Sequence, residues 1–325
     1  MVDISIVIVN YKSWNDLKEC LQSIVSIHSN RFTIETIVID NQSNDGRIED
    51  FRVLFPSIFF IENSGNNGFA NGCNVGASAA KGNYLFFLNP DTIITEDAIY
   101  ELWHTARTNT NIGIVCCTQI NESDKKYNEI RFFPSLTTLF GPFRAWYKWI
   151  NKRTIAINYN PKQQTIFPDW ATGAVIFMSR TWFEKANGWT EKYWLYFEDV
   201  DLCKKVNKLG GKIALIRSTF IIHKHGGASR INIKTKALTK TEVLISQHVY
   251  FNEHTNGFKN FIIQLLLITS TLIEKTVLAI IGTIFFFVPK LKVNVLILSH
   301  LIHYYCNSLK NNTWTSPRAM DYLKK

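Results

Sequence analysis

The stretch ISIVIVNYKSWNDLKECLQSIVSIHSNRFTIETIVID, residues 4–40, decides the fold. It opens with Ile4 to Val9, a short, β-branched, almost uniformly apolar run of the kind that suits a parallel strand covered on both faces. From Trp14 to Ile27 the apolar positions Leu17, Cys20, Leu21, Ile24 and Val25 recur at helical spacing, and Ile34 to Ile39 is a second strand ending in Asp40. Strand, helix and parallel strand make a βαβ unit.

The alternation continues outward from this unit. A third strand is expected at Ser57 to Ile61, and NSGNNGFANGCNVGASAAKG (63–82) then leads into a strand from Tyr84 to Leu88, with another from Gly113 to Thr118. Such a pattern predicts an α/β fold with a mostly parallel, doubly wound sheet. Ligands of such sheets sit beyond the carboxyl ends of the strands, where Asp40 and Asp91 both fall.

Residues 121–164 are rich in aromatics, among them Phe132, Phe133, Trp146 and Trp149, and read as a loop-and-helix insertion. It either shapes an acceptor groove or forms a peripheral packing layer. The regular pattern resumes at Asp169 and fades near Arg230, which divides the chain into a globular domain over 1–230 and a helical, membrane-associating region over 231–325. In that region the apolar segments Phe261 to Ile273 and Val277 to Val288 are separated by Glu274-Lys275, and a third runs from Val293 to Leu301. None alone reaches the roughly 18–20 residues of a membrane span. Shallow in-plane insertion over anionic headgroups, a span or hairpin, and an ordinary helical subdomain are all open readings.

A net charge of +10 over 325 residues, with a pI near 9.2, suits a negatively charged partner: nucleic acid, an anionic membrane surface or a phosphorylated substrate. The lysines spread over helix faces and the tail without a basic-aromatic motif, which argues against nucleic acid. Six cysteines without CxxC pairs read as thiols of a reducing compartment. MVDISIVIVNYKS has no basic leader or cleavage site and is expected to be a first strand, not a signal peptide.

Five places carry chemistry. In YLFFLNPDT (84–92) the apolar strand ends in Asn89-Pro90-Asp91, and the proline restricts the backbone so that the carboxylate is aimed. Asp91 is either a ligand for Mg²⁺ or Mn²⁺, whose remaining positions go to phosphates and water, or a cap for the helix from about Glu96. Asp40, beside Asn41, Ser43 and Asp45, suits a base or ribose contact or plain turn chemistry. In GNNGFANGCNVG (65–76) no dinucleotide or P-loop signature is met, yet Asn66, Gly68, Gly72 and Asn74 can supply left-handed backbone and amide donors near a diphosphate; a tight strand-to-helix link is the plain alternative.

Glu198, Asp199 and Asp201 in YFEDVDLC crowd a helix start, where capping competes with a general-base role amid Trp194, Tyr196 and Phe197. His223 and His225 alternate at the end of a strand and are candidates for one metal or diphosphate site.

Taken in order, VNYKS, IDNQSNDG, the 63–92 stretch, WATGAVIFMSRTWFEKANGWTEKYWLYFEDVDLCKKVNKLGGK and HKHGGAS resemble the family-2 inverting glycosyltransferases, in particular the rhamnosyltransferase-like branch. The resemblance covers roughly residues 3–230 and implies a GT-A fold, a nucleotide-diphospho-sugar donor, a divalent metal and displacement with inversion. It implies further that Tyr11 lies against the base and Asp40 bonds it. Asp91 would stand at the last acidic position of the D-x-D motif as metal ligand, with Asn89 at the first. Asp199 would be the general base, with Glu198 as second choice, and His223 or His225 the diphosphate-side histidine. Trp170, Thr172 and Gly173 would line the acceptor side. The expectation is transfer of L-rhamnose from its dTDP-activated form onto a lipid-linked or growing surface glycan at the cytoplasmic face of the membrane. Glucose, galactose or galactofuranose donors, and a non-catalytic nucleotide-sugar-binding scaffold, are the rival readings.

Overall fold

The computed structural model describes residues 2–139, 141–224, 232–285 and 287–323. Strand β1 (Ile4–Asn10) leads through helix α1 (Trp14–Val25) to β2 (Ile34–Asp40), and α2 (Arg47–Leu54) to β3 (Phe59–Glu62). Helix α3 (Phe69–Ala79) feeds β4 (Tyr84–Leu88), then come β5 (Thr92–Ile93), α4 (Glu96–Thr108) and β6 (Ile112–Ile120). The aromatic-rich insertion folds as α5 (Leu136–Leu139), α6 (Gly141–Ile150) and α7 (Lys152–Asn158) before β7 (Thr165–Ile166) and β8 (Val175–Ser179). Beyond α8 (Arg180–Lys185), α9 (Glu198–Lys208) and β9 (Lys212–His223) come the helices α10 (Ile233–His254), α11 (Gly257–Ile284), α12 (Pro289–Asn311) and α13 (Pro317–Leu323).

The strands form one mixed sheet in the order β3-β2-β1-β4-β8-β6-β9-β5, with β7 paired to β9. β1, β2, β3 and β4 are mutually parallel, and β8 enters antiparallel between β4 and β6. All seven residues of β1 are buried, as its unbroken apolar sequence requires for a strand covered on both faces. Phe86 and Phe87 of β4 have no exposed surface, so truncating either to alanine costs about 3–5 kcal/mol. The third strand starts at Phe59 instead of Ser57 because Ile58 N–H closes a turn onto Phe55 O at 3.0 Å.

Two compact units are distinguished: Met1–Asn66, Asn71–Trp189 and Asp199–His225 hold the sheet, whereas Asn67–Ala70, Thr190–Glu198 and Gly226–Lys325 hold the C-terminal helices. In the second unit Ala237 of α10 packs on Val293, Ile297 and Leu301 of α12. Glu274-Lys275, expected to separate two apolar segments, instead lies inside one helix of 28 residues that ends at Ile284, since Glu and Lys are both good helix formers and do not break the run. By length and apolarity α11 could cross a membrane.

Candidate active site

At the carboxyl end of the sheet, Asn10 and Asp40 are register partners on β1 and β2. Asn10 Nδ2 donates to Asp40 Oδ1 at 3.0 Å, while Ser43 donates its hydroxyl to Oδ1 at 2.6 Å and its amide to Oδ2 at 2.8 Å. Lys12 N–H in turn donates to Ser43 Oγ at 2.9 Å. Lys12, Gln42 and Asn44 all have positive φ, sparsely populated backbone that the surrounding bonds hold in place. Tyr11, just before Lys12, keeps 37% of its surface exposed.

The asparagine-rich stretch divides its labour. Asn63 Nδ2 reaches Asn41 Oδ1 at 3.0 Å and Asn71 Oδ1 at 2.7 Å, tying the loops after β2 and β3 to helix α3. Gly72 allows α3 to approach β1, since a Cβ there would lie 2.7 Å from Val9 Cγ1. Asn74 donates to Trp189 O at 2.9 Å and accepts from Trp189 N–H at 3.0 Å, so its amide braces the loop ahead of α9. In the second unit, Gly68 has φ +95° and a Cβ on it would meet Trp194 O at 2.3 Å, two reasons for glycine at that position. Asn66 lies in the loop that precedes α3.

Asp91 follows β4 as the sequence predicts. It does not cap α4, because Thr95 is the N-cap and its Oγ1 accepts from Ala98 N–H at 3.3 Å. Thr92 Oγ1 instead donates to Asn89 O at 2.7 Å, and Asn89 N–H donates to Ala174 O at 3.1 Å, which fixes the turn around Pro90. β5 pairs antiparallel with β9, setting Thr92 opposite His223 and bringing His223 Nε2 to 3.2 Å from Asp91 Oδ1. His225 lies outside the described residues.

From His223 a chain of hydrogen bonds crosses the sheet edge. His223 Nδ1 lies 2.9 Å from Gln119 Oε1, and Gln119 Nε2 donates to Thr172 Oγ1 at 2.7 Å. The next residue, Gly173, donates its N–H to Asp199 Oδ2 at 2.9 Å, and Val200 N–H reaches Asp199 Oδ1 at 2.8 Å. A register shift between β6 and β9 after Cys117 precedes the pairing of Gln119 with Ile221, which sets Gln119 beside the strand end that carries His223.

With this amide orientation Gln119 accepts at Oε1, so Nδ1 of His223 carries a proton. Its Nε2 then faces Asp91 either as the N–H of an imidazolium or as a lone pair. In the second case two acceptors 3.2 Å apart converge, close to the roughly 3 Å between adjacent oxygen or nitrogen ligands of an octahedral ion with bonds of about 2.1 Å. No cluster of three or more His, Cys, Asp or Glu able to hold a metal occurs among the described residues, so of these Asp91 and His223 are the pair that a cation would meet here.

Asp199 is partly buried, and desolvation pushes its carboxyl up from the usual range against the opposing pull of the Gly173 and Val200 amides and the Arg131 charge. A carboxylate so placed can take a proton from a hydroxyl. Glu198, the first residue of α9, is buried. It follows Tyr196 (φ 70°) and Phe197 (φ 67°), consecutive non-glycine residues in left-handed backbone, a strain of about 1–3 kcal/mol each. Asp201 pairs with Lys205 at 3.7 Å along the helix. Trp170 donates its indole N–H to Phe132 O at 3.1 Å and carries Arg131 over its ring at 5.1 Å.

The structure thus gathers Asp91, His223, Thr172, Gly173 and Asp199 into one hydrogen-bonded series, and sets Asp40 in a separate cluster with Asn10 and Ser43. Gln119, Arg131, Asn63 and Asp16 escaped the sequence reading. Asp16, in the first turn of α1, has its carboxyl raised first by burial and then by the nearby charge of Asp91. The only signal for Asn63 was the density of asparagines; Gln119 gave none, being one polar residue inside a buried strand.

Residues 5–183 match the glycosyl transferase family 2. The chain is 26% identical over 230 residues to the low-salt glycan biosynthesis hexosyltransferase Agl10 of Haloferax volcanii, covering 68% of this chain and 67% of the relative. It is 24% identical to the N-acetylglucosaminyl-diphospho-decaprenol L-rhamnosyltransferase of Mycobacterium tuberculosis, over 67% of this chain and 75% of that one. Among solved structures, that of GalNAc-T7 with UDP, GalNAc and Mn²⁺ superposes with a TM-score of 0.53 at 16% identity, over 69% of this chain; the match spans only 43% of that chain. The fold is therefore the GT-A glycosyltransferase fold, and the chain belongs to glycosyl transferase family 2.

Proposed function

We propose that this glycosyltransferase moves L-rhamnose from dTDP-L-rhamnose, with inversion, onto a lipid-linked or growing cell-surface glycan. The observation that supports the reading is the connection of Asp91 to Asp199 through His223, Gln119 and the Thr172–Gly173 peptide, which links an acid–histidine pair suited to a cation with a carboxylate suited to a base. The donor sugar and the polyprenol-linked acceptor are supported by the name of the mycobacterial relative.

In this reading Tyr11 packs on the nucleotide base and Asp40 offers it the acceptor capacity left over from Asn10 and Ser43. Asn66, Gly68 and Asn89 line the diphosphate, while Gly72 and Asn74 hold α3 in place beside it. Asp91 and His223 hold a Mg²⁺ or Mn²⁺ ion, with His225 as a further candidate ligand; a bound metal neutralises charge on the departing diphosphate. Trp170, Thr172 and Gly173 line the acceptor side. The acceptor hydroxyl oxygen attacks the anomeric carbon, its proton goes to Asp199, and the bond to the diphosphate breaks with its electron pair on the leaving oxygen. Glu198 is the second choice for the base.

The catalytic domain extends over 1–230 and the region 231–325 associates with the cytoplasmic face of the membrane, peripherally or by shallow insertion. Support comes from α11, whose Phe258, Phe261 and Ile273 are exposed. A panel of nucleotide sugars assayed for nucleoside diphosphate release, with and without Mn²⁺, tests the reading. Release from dTDP-L-rhamnose that EDTA abolishes is expected. Release from a UDP-hexose alone would move the assignment to the hexosyltransferase activity named for the archaeal relative, and no release from any donor would favour a binding scaffold.

A further inference from the structure

Helix α6 has no buried residue, although it carries three of the bulkiest apolar side chains in the insertion. Phe143, Trp146, Trp149 and Ile150 are all more than half exposed, Trp149 at 74%. At 100° per residue these four fall within one arc of the helix, and Arg144 and Lys148, one turn apart, fall on the opposite arc. The helix is held from beneath by aromatic clasps instead: Tyr147 meets Phe132 edge-on at 5.4 Å, Tyr159 meets the same ring at 6.1 Å, and Tyr159 donates its hydroxyl to Arg131 O at 3.2 Å. The clasp anchors the hairpin and leaves its apolar row outward.

The charges around that row have one sign. Arg144, Lys148, Lys152 and Arg153 are all exposed, and residues 141–158 contain no aspartate or glutamate. An apolar row with tryptophans, on a hairpin whose only charges are cations, complements a surface that is negative outside and hydrocarbon just beneath. A protein partner would need to match both features; an anionic bilayer supplies both without a specific sequence.

We propose that α6 and α7 form a membrane-contact device of the catalytic unit, in which Phe143, Trp146, Trp149 and Ile150 enter the interface of an anionic bilayer and the four cations rest on its headgroups. This contact extends the membrane-associated reading given above, which rests on the C-terminal helices, to the unit that carries Asp91 and Asp199. Residues so placed would hold the acceptor side of the enzyme at the depth where a lipid-linked substrate presents its sugar.

The test is a local probe on the full chain. Five of the six cysteines are buried and Cys306 is exposed, so Trp149→Cys in a Cys306→Ser background takes a polarity-sensitive fluorophore at one position. Phosphatidylglycerol-containing vesicles should shift its emission to the blue, and pure phosphatidylcholine vesicles should not. Adding Arg144→Gln and Lys148→Gln should weaken the response roughly tenfold or more in lipid concentration. If the protein co-sediments with the anionic vesicles while the probe stays in water, the C-terminal helices bind alone and this inference is overturned while the membrane reading survives. If it neither sediments nor shifts, both are overturned. A shift that needs no vesicles and grows with protein concentration would mean that a second copy of the chain covers α6, again overturning the inference.

Discussion

Glu242 and His248 of α10 are fully buried and Asp199 of α9 is partly so, and the two regions surround their titratable groups with different partners. His248 is sandwiched between Gln264 at 2.6 Å and Tyr305 at 3.1 Å and stacks on Trp314 at 5.1 Å; burial holds it neutral, its pKa lowered to about 4. Arg318 lies 3.8 Å from Glu242, one carboxyl oxygen is buried without a hydrogen-bond partner, and burial pushes the carboxyl up to about 7 against the pull of Ser316 and Arg318. Asp199 instead receives two backbone N–H groups that favour its charged form even as burial opposes it. Asp199 is thus given backbone donors that oppose the rise, whereas at Glu242 one oxygen is left without any.

That contrast can be broken at several points. The largest effect is expected at Asp199→Asn, which removes the proton acceptor and should lower kcat roughly 10²–10⁴-fold while the chain still folds, read by steady-state kinetics beside circular dichroism. The wild-type rate should fall on its acid side as pH drops through the raised Asp199 pKa, because only the ionised carboxylate accepts a proton. Next comes Asp91→Asn, for which the metal concentration giving half-maximal rate should rise roughly 10–100-fold. Gln119→Leu, which leaves His223 Nδ1 without its acceptor, should lower turnover roughly tenfold, with partial recovery in Gln119→Glu, which keeps an acceptor facing the ring.

The last predicted change lies in the helical unit, leaves turnover untouched and concerns stability alone. Because the folded-state pKa of Glu242 is raised, its contribution is complete below pH 4.5 and is lost as pH rises through about 7, up to about 3 kcal/mol. His248 has a lowered pKa, so its contribution is complete above 6.5 and is lost as pH falls through about 4. Melting curves of Glu242→Gln should show a flatter decline between pH 5 and 8 than wild type, with turnover unchanged.

Much of the sheet was legible because its strands are apolar end to end: β4 runs over the expected residues 84–88, Asp40 closes β2 and Asp91 follows β4 as read. The family, too, could be read from motif order. What the sequence hid depends on pairing between distant segments. The contact of His223 with Asp91 needs β5 and β9 to pair across some 130 residues of chain, and Gln119 becomes relevant only through the register shift beside it. The left-handed Tyr196 and Phe197 carry no glycine or asparagine to announce them. In the C-terminal region a charge pair looked like a break, but Glu and Lys are both good helix formers and continue a helix readily.

The central claim is a division of labour, in which Asp91 with His223 holds the donor and Asp199 takes the acceptor's proton. Donor affinity and turnover measured side by side on Asp199→Asn test it most directly, with calorimetric titration of the nucleotide sugar in Mn²⁺ set against product formation. The account predicts turnover reduced by roughly 10²-fold or more with donor affinity near that of the wild type. Turnover that survives the substitution, or donor binding that disappears with it, would contradict the account.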